Sequence, residues 1–233
     1  MRSLLERSLR LTFLPGKPGP GFAQSELYND CYRFWSGFWE AVYRDLGEKT
    51  PPAADHFTRQ DCLALLTHGR QIVAFHGYTF YDVDYPAQRE HSYFTQAFSA
   101  VALARLAQRA TYVMTMEYLS VHPDWRASKT GVSLPIVLAQ LALRYGESHG
   151  AQALLGIGRQ DSKVDQRGLE LGGMFLESNV KVHGVPCSLI ALFPGETHPY
   201  HRAEENDLAA ALWEGRTDTT TPAIETLPQR QAA

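Results

Sequence analysis

Residues 116–143 read MEYLSVHPDWRASKTGVSLPIVLAQLAL, and the order of chemistries along them decides the fold. A β-branched and apolar run reaches Val121, and Pro123, which has no N–H to give to a ladder, ends its pairing. A polar loop with Arg126, Ser128, Lys129 and Gly131 follows, and then a strongly apolar helix. Pro135 sets the start of that helix near Ser133, because proline is tolerated in the first turn, where its missing N–H would have had no intrahelical acceptor. The spacing leaves the amides of Thr130, Gly131, Val132 and Ser133 as free donors at the positive end of a helix dipole. That arrangement suits a pyrophosphate, with Arg126 and Lys129 adding charge. A polar loop before a helix is also how most helices begin, so it specifies no ligand by itself. Along the strand, alternation puts Val113, Thr115, Glu117, Leu119 and Val121 on one face. A carboxylate there is costly without a partner. Glu117 reads equally as a base of raised pKa and as half of a structural ion pair or hydrogen bond.

Outward from this window, residues 153–158 read as a strand and 163–171 as a short helix, with a hairpin over 180–193 turning near His183-Gly184. Upstream, residues 62–67 and 71–81 are apolar or β-branched runs separated by His68-Gly69-Arg70, a hairpin. Before them Leu27, Cys31, Phe34, Trp35, Phe38, Trp39, Val42 and Leu46 recur at three- and four-residue spacing, and Gly47 supplies a stop; this is an amphipathic helix. A second helix is expected over 95–109. The order is mixed, with βαβ character in its second half. It predicts an α/β fold, one mixed twisted sheet with helices on both faces. Strand 111–121 should be central, strand 153–158 its parallel neighbour, and the helix from Leu134 should cross them.

The whole window resembles the central motif of the GNAT acyltransferase superfamily. Glu117, Leu119, Val121, Pro123 and Arg126 match its E..L.V.P..R strand pattern, with Arg126 two residues early for the phosphate loop. Of the loop pattern [Q/R]-x-x-G-x-[G/A], Gly131 is retained, while Ser128 and Ser133 replace the first and last residues. LLTHGRQIVAFHGYTFYD (65–82) is similar to the family's second and third strands, and the likeness in element order spans 25–193. Residues 82–109 form a longer connection than is usual there, which could shape a specialised pocket. IGRQDSKVDQRGLELGGMF (157–175) is similar to N-x-x-A-x-x-x-Y-x-x-x-G-F, with Asp161, Val164 and Gly168 in place of Asn, Ala and Tyr. The tyrosine that often protonates the leaving thiolate is thus absent at that position.

The resemblance implies an N-acyltransferase in which an acceptor amine attacks acetyl-CoA or a longer acyl-CoA directly. Pantetheine would run beside a splayed strand at Leu119 and Val121, and the pyrophosphate would lie on Arg126, Lys129, Thr130, Gly131, Val132 and Ser133. Glu117 is the base candidate. Asp161 and Ser162, at a strand end where ligands of open α/β sheets gather, are further site candidates, or a cap for the next helix. Two alternatives stand beside this. One is an enzyme dependent on acyl-carrier protein and similar to N-acyl amino acid or acyl-homoserine lactone synthases, with Arg126, Lys129 and Arg159 facing the acidic carrier. The other is a non-catalytic GNAT-like domain that binds a thioester or a partner protein.

Composition narrows the partners. The 233 residues fit one domain, and a net charge of -3 with interspersed signs leaves no footprint for nucleic acid. A small-molecule acceptor is the expected partner. Cys31, Cys62 and Cys187 are odd in number and far apart, which speaks against a disulfide framework or a metal knuckle, and the histidines lack ligand spacing. Charges at Arg2, Glu6, Arg7 and Arg10 interrupt any export signal, and no run approaches the roughly 18 apolar residues of a membrane span. A reducing cytoplasmic location is expected. Pro and Gly alternate through 15–22, so residues 1–24 read as an N-terminal arm. Residues 25–203 read as the acyltransferase domain. Residues 204–233 read as a tail that starts as a short helix and is disordered from Thr217. The stripe Tyr32, Trp35, Phe38, Trp39 and Tyr43 reads as core, with an acyl channel as the alternative.

Overall fold

The computed structural model describes residues 8–220. Its strands are β1 (Leu9–Pro15), β2 (Cys62–His68), β3 (Gln71–Asp82), β4 (Tyr112–Val121), β5 (Ala153–Arg159), β6 (Met174–Val182), β7 (Val185–Leu192) and β8 (Thr217–Asp218). The helices longer than one turn or so are α1 (Ser25–Asp45), α2 (Ala100–Ala107), α3 (Leu134–Ser148), α4 (Val164–Leu169) and α5 (Ala203–Glu214). All eight strands form one sheet in the order β6-β7-β5-β4-β3-β2-β1-β8. The β4–β5 and β1–β8 pairs are parallel and the rest antiparallel.

Period-two alternation sorts the strands between two apolar layers. In β2, Cys62, Ala64 and Leu66 pack with α3 and α5, whereas Leu63 and Leu65 pack with Cys31 and Trp35 of α1. A third cluster, around Phe94, Phe98, Ala102 and Leu106, covers the β5–β7 end of the α1 face. Helices therefore lie on both faces. β4 is interior, β5 is its parallel neighbour, and α3 is the crossover between them, as the periodicities predict.

Three expectations change. Residues 9–15 are not part of an arm, because Leu9, Leu11 and Phe13 are buried and β1 pairs along its length with β2. The C-terminal segment is not a loose tail: α5 buries Leu208, Ala209 and Leu212 against α3, and Thr217 and Asp218 pair with β1. The remainder of the expected disordered stretch, residues 221–233, lies outside the described residues. The helix expected over 95–109 is shorter. Single turns at Pro86–Arg89 and Ser92–Thr95 precede α2, whose N-cap Ser99 accepts from the amide of Ala102.

Candidate active site

One irregularity in β4 builds the site. Gly77 of β3 pairs with Glu117, but Phe75 pairs with Ser120, so β4 carries one extra residue. Tyr118 absorbs it with φ 59°, a left-handed conformation that costs a non-glycine residue about 1–2 kcal/mol. The bulge reverses the alternation. Met114 and Met116 face α3, and beyond the bulge so do Leu119 and Val121; Glu117 and Tyr118 face α1. The expectation that Glu117 shares a face with Leu119 and Val121 is therefore corrected, since strict alternation does not survive an inserted residue. Aromatic packing holds the strained residue. The Tyr118 ring meets Trp35 and Trp39 edge-on at 5.5 and 5.1 Å. Trp39 Nε1 donates to Ser120 Oγ (2.9 Å), whose hydroxyl donates to the Tyr118 carbonyl (2.8 Å).

At the same place β4 and β5 part. They pair only where Val113–Met116 meets Ala153–Gly156. Beyond that register a cavity of roughly 480 Å³ opens, bounded by Met116, Glu117, Tyr118, Ile157 and Arg159 from the two diverging strands. Trp39 and Tyr43 of α1, the segment carrying His56 and Arg59, Tyr93, and the β6–β7 turn complete its walls. His183 in that turn shares hydrogen bonds with Tyr43 Oη (3.2 Å) and Glu48 Oε1 (3.0 Å), latching the hairpin to the end of α1. The size is that of a small-molecule site.

Glu117 is nearly buried, at 8% exposure, and its charge is met on both oxygens. Arg59 donates to Oε2 at 2.6 Å and the Thr115 hydroxyl to Oε1 at 3.1 Å. Two donors on the cavity lack partners among the described residues: Arg59 Nε and the Tyr93 hydroxyl, both buried. His56 Nδ1 and the Tyr118 phenol share a hydrogen bond. Burial, and behind it the Arg59 guanidinium, hold His56 below the usual histidine range, while burial pushes the Tyr118 phenol up. The pair is thus a neutral imidazole and a protonated phenol at neutral pH. The cavity gathers a proton acceptor, hydrogen-bond donors able to face a carbonyl oxygen, and a retained phenolic proton.

Only Glu117 of the expected catalytic set lies here. Asp161 and Ser162 are exposed in the turn after β5 and do not line the cavity. Asp161 accepts from Arg159 at 3.0 and 2.6 Å, and those bonds hold its carboxyl below the usual range. Leu119 and Val121 pack into the α3 layer. The loop after β4 also differs from the expectation of four free amides. Residues Ala127–Thr130 form a turn of helix that Gly131 ends in the left-handed conformation (φ 77°) that glycine adopts most cheaply. The Thr130 amide donates to the Arg126 carbonyl (3.1 Å) and that of Gly131 to the Ala127 carbonyl (2.8 Å). The Val132 amide donates to Thr130 Oγ1 (3.3 Å) and that of Ser133 to Glu205 Oε1 (2.9 Å). Lys129 is paired with Asp124, and Arg126 is exposed. The aromatic stripe divides: Trp35 is core, and Trp39 and Tyr43 line the cavity. His56, Arg59, Tyr93 and Tyr118 were not singled out from sequence. Tyr118 stands next to Glu117, which is the one signal that marked it.

The chain matches no protein-family model and no curated protein. Among solved structures it is similar to the CoA-dependent acyl-homoserine lactone synthase BjaI, with a TM-score of 0.55 at 11% identity over 91% of this chain and 94% of that one. FeeM, an N-acyl amino acid synthase from uncultured soil microbes, gives 0.53 at 14% identity over 81% and 91%. The acyl-homoserine lactone synthase LasI gives 0.53 at 11% identity over 89% and 95%. The fold is GNAT-like. In this fold the bulge, the parting of β4 from β5 and the cavity coincide. No helix of the described residues is long and apolar enough to cross a membrane, and no group of three or more His, Cys, Asp or Glu among them could hold a metal.

Proposed function

We propose that the protein is an acyltransferase that moves an acyl group from a pantetheine thioester to an acceptor amine in the cavity between β4 and β5. The observation that carries this reading is the coincidence of a strand edge opened by the parting of β4 from β5 with a partnered carboxylate, Glu117, at its mouth. A pantetheine arm has amides that pair along such an edge. The neighbours in fold include a BjaI structure with SAM and isopentyl-CoA, which supports a thioester donor and an amine-bearing acceptor. The donor is an acyl-CoA or an acyl-carrier protein. The acceptor ammonium loses its proton to Glu117, and the amine attacks the thioester carbon. The carbonyl oxygen gains negative charge and accepts from Arg59 Nε or the Tyr93 hydroxyl. Collapse breaks the C–S bond, and the thiolate takes the Tyr118 proton; the second proton of the attacking nitrogen passes through the His56 imidazole to the Tyr118 phenolate, which leaves an amide, a free thiol and a protonated Glu117.

The test is release of free thiol from acetyl to long-chain thioesters in the presence of amines and amino acids. Glu117→Gln keeps the shape of the side chain and one of its two acceptor oxygens but cannot take the proton. Its turnover should fall about a hundredfold to ten-thousandfold, with thioester binding retained. Turnover by the folded variant within about threefold of the parent at every pH would make Glu117 a structural partner of Arg59 alone. Absence of thiol release from every donor would sink the proposal.

A further inference from the structure

The N-terminus of α3 already holds an anion, and it comes from the chain itself. Glu205, on the first turn of α5, is fully buried, and its Oε1 accepts from the Ser133 amide at 2.9 Å. Arg202 brackets it: one guanidinium nitrogen is 3.4 Å from the same oxygen and another donates to the Gly131 carbonyl at 2.6 Å. On the opposite side Arg167 donates to Ser133 Oγ at 2.7 Å. Glu205 Oε2 and Arg167 Nε are buried and have no partner among the described residues. A carboxylate, two guanidinium groups and a helix N-terminus are the components of an anion site. The seat is filled by a group carried on α5, whose docking Asn206 also clamps through Gln140 of α3 (2.9 Å) and the backbone of Tyr200.

We infer that Glu205 is a specificity-determining residue that occupies the place of a nucleotide pyrophosphate, so that the donor is recognised through its pantetheine arm and gains nothing from a nucleotide at α3. This rests on the reading of the donor as a pantetheine thioester. The Ser133 amide and Arg202 are taken up by Glu205, and the Thr130, Gly131 and Val132 amides are engaged within the loop, so the donors a pyrophosphate would need are already occupied. A donor lacking the nucleotide loses no contact at this helix.

Calorimetry on the parent with CoA and with phosphopantetheine reads the inference directly. The two should bind within about threefold of each other, and CoA binding tenfold or more tighter would overturn it. The second measurement is rescue. Glu205→Ala leaves the Ser133 amide and Arg202 without their anion, so its melting temperature should drop and should be restored by millimolar inorganic pyrophosphate, while the parent is unmoved. Glu205→Gln, which fills the space without the charge, should respond less. If pyrophosphate stabilises parent and Glu205→Ala alike, or neither, the seat is not an anion site and the inference fails. Should the replacements unfold the chain, the parent ratio alone decides. Failure of the acyltransferase reading looks different: no thiol is released from acyl-CoA or acyl-pantetheine, whatever the binding ratio.

Discussion

Tyr118 combines strain, packing and chemistry in one residue. Its left-handed backbone is maintained by Trp35, Trp39 and Ser120, and the same conformation turns its phenol toward His56. If the phenol protonates the departing thiolate, Tyr118→Phe should slow turnover of alkyl thioesters by on the order of a hundredfold. Aryl thioesters, whose thiols leave without help, should be slowed far less. Equal slowing of both classes would make the residue structural. Glu117 was legible in the sequence because a carboxylate in an apolar strand demands a partner; of the two readings weighed for it, the ion pair is found with Arg59, and the base is the role proposed above. Its partner was not legible: Arg59 lies 58 positions away, and nothing in the intervening pattern names it. The bulge was also hidden, since Glu117-Tyr118-Leu119 alternates well enough to pass as a regular strand.

Elements were legible where their signals are local. The α1 stripe, the β2–β3 turn at Gly69, the Pro135 start of α3 and the βαβ unit follow from periodicity and punctuation alone. Elements whose partners are distant were misjudged. β1 precedes a Pro- and Gly-rich segment and so looked like an arm, yet its hydrogen bonds are supplied by strands that begin far downstream. α5 was read as a short helix opening a C-terminal tail, and what that reading missed is its docking, with Glu205 fully buried and bonded to the start of α3. Its apolar face is part of the main core. Leu208→Ala should therefore cost about 2–5 kcal/mol in urea unfolding, the range for a buried leucine, and not the few tenths expected of a tail. A cost below about 0.5 kcal/mol would contradict the packing.

The stability of the whole molecule should fall in mild acid, because His76 is buried and neutral and two half-buried histidines are held below their usual range. Burial holds His76 down to about 3, and burial followed by Arg59 lowers His56 and His91. The unfolded chain takes up these protons near pH 6.5 and the folded chain does not. His76 alone then removes about 1.4 kcal/mol per pH unit as pH falls from about 6.5 toward 3. Asp61, whose carboxyl is raised by partial desolvation, works in the opposite sense. Urea unfolding at pH 7.5, 6 and 5 should show the loss, and His76→Phe should flatten it; an unchanged slope would place the sensitivity elsewhere. The sheet order has a further consequence for how the molecule comes into being. β1 leaves the ribosome before the other strands of the sheet, yet β8 covers its outer edge, and Thr219 reaches the Phe13 carbonyl across 206 positions. From the emergence of β1 until that of α5 and β8, the nascent chain carries an open strand edge and an uncovered apolar face. Its window for mispairing with another nascent copy spans the making of every other strand of the sheet.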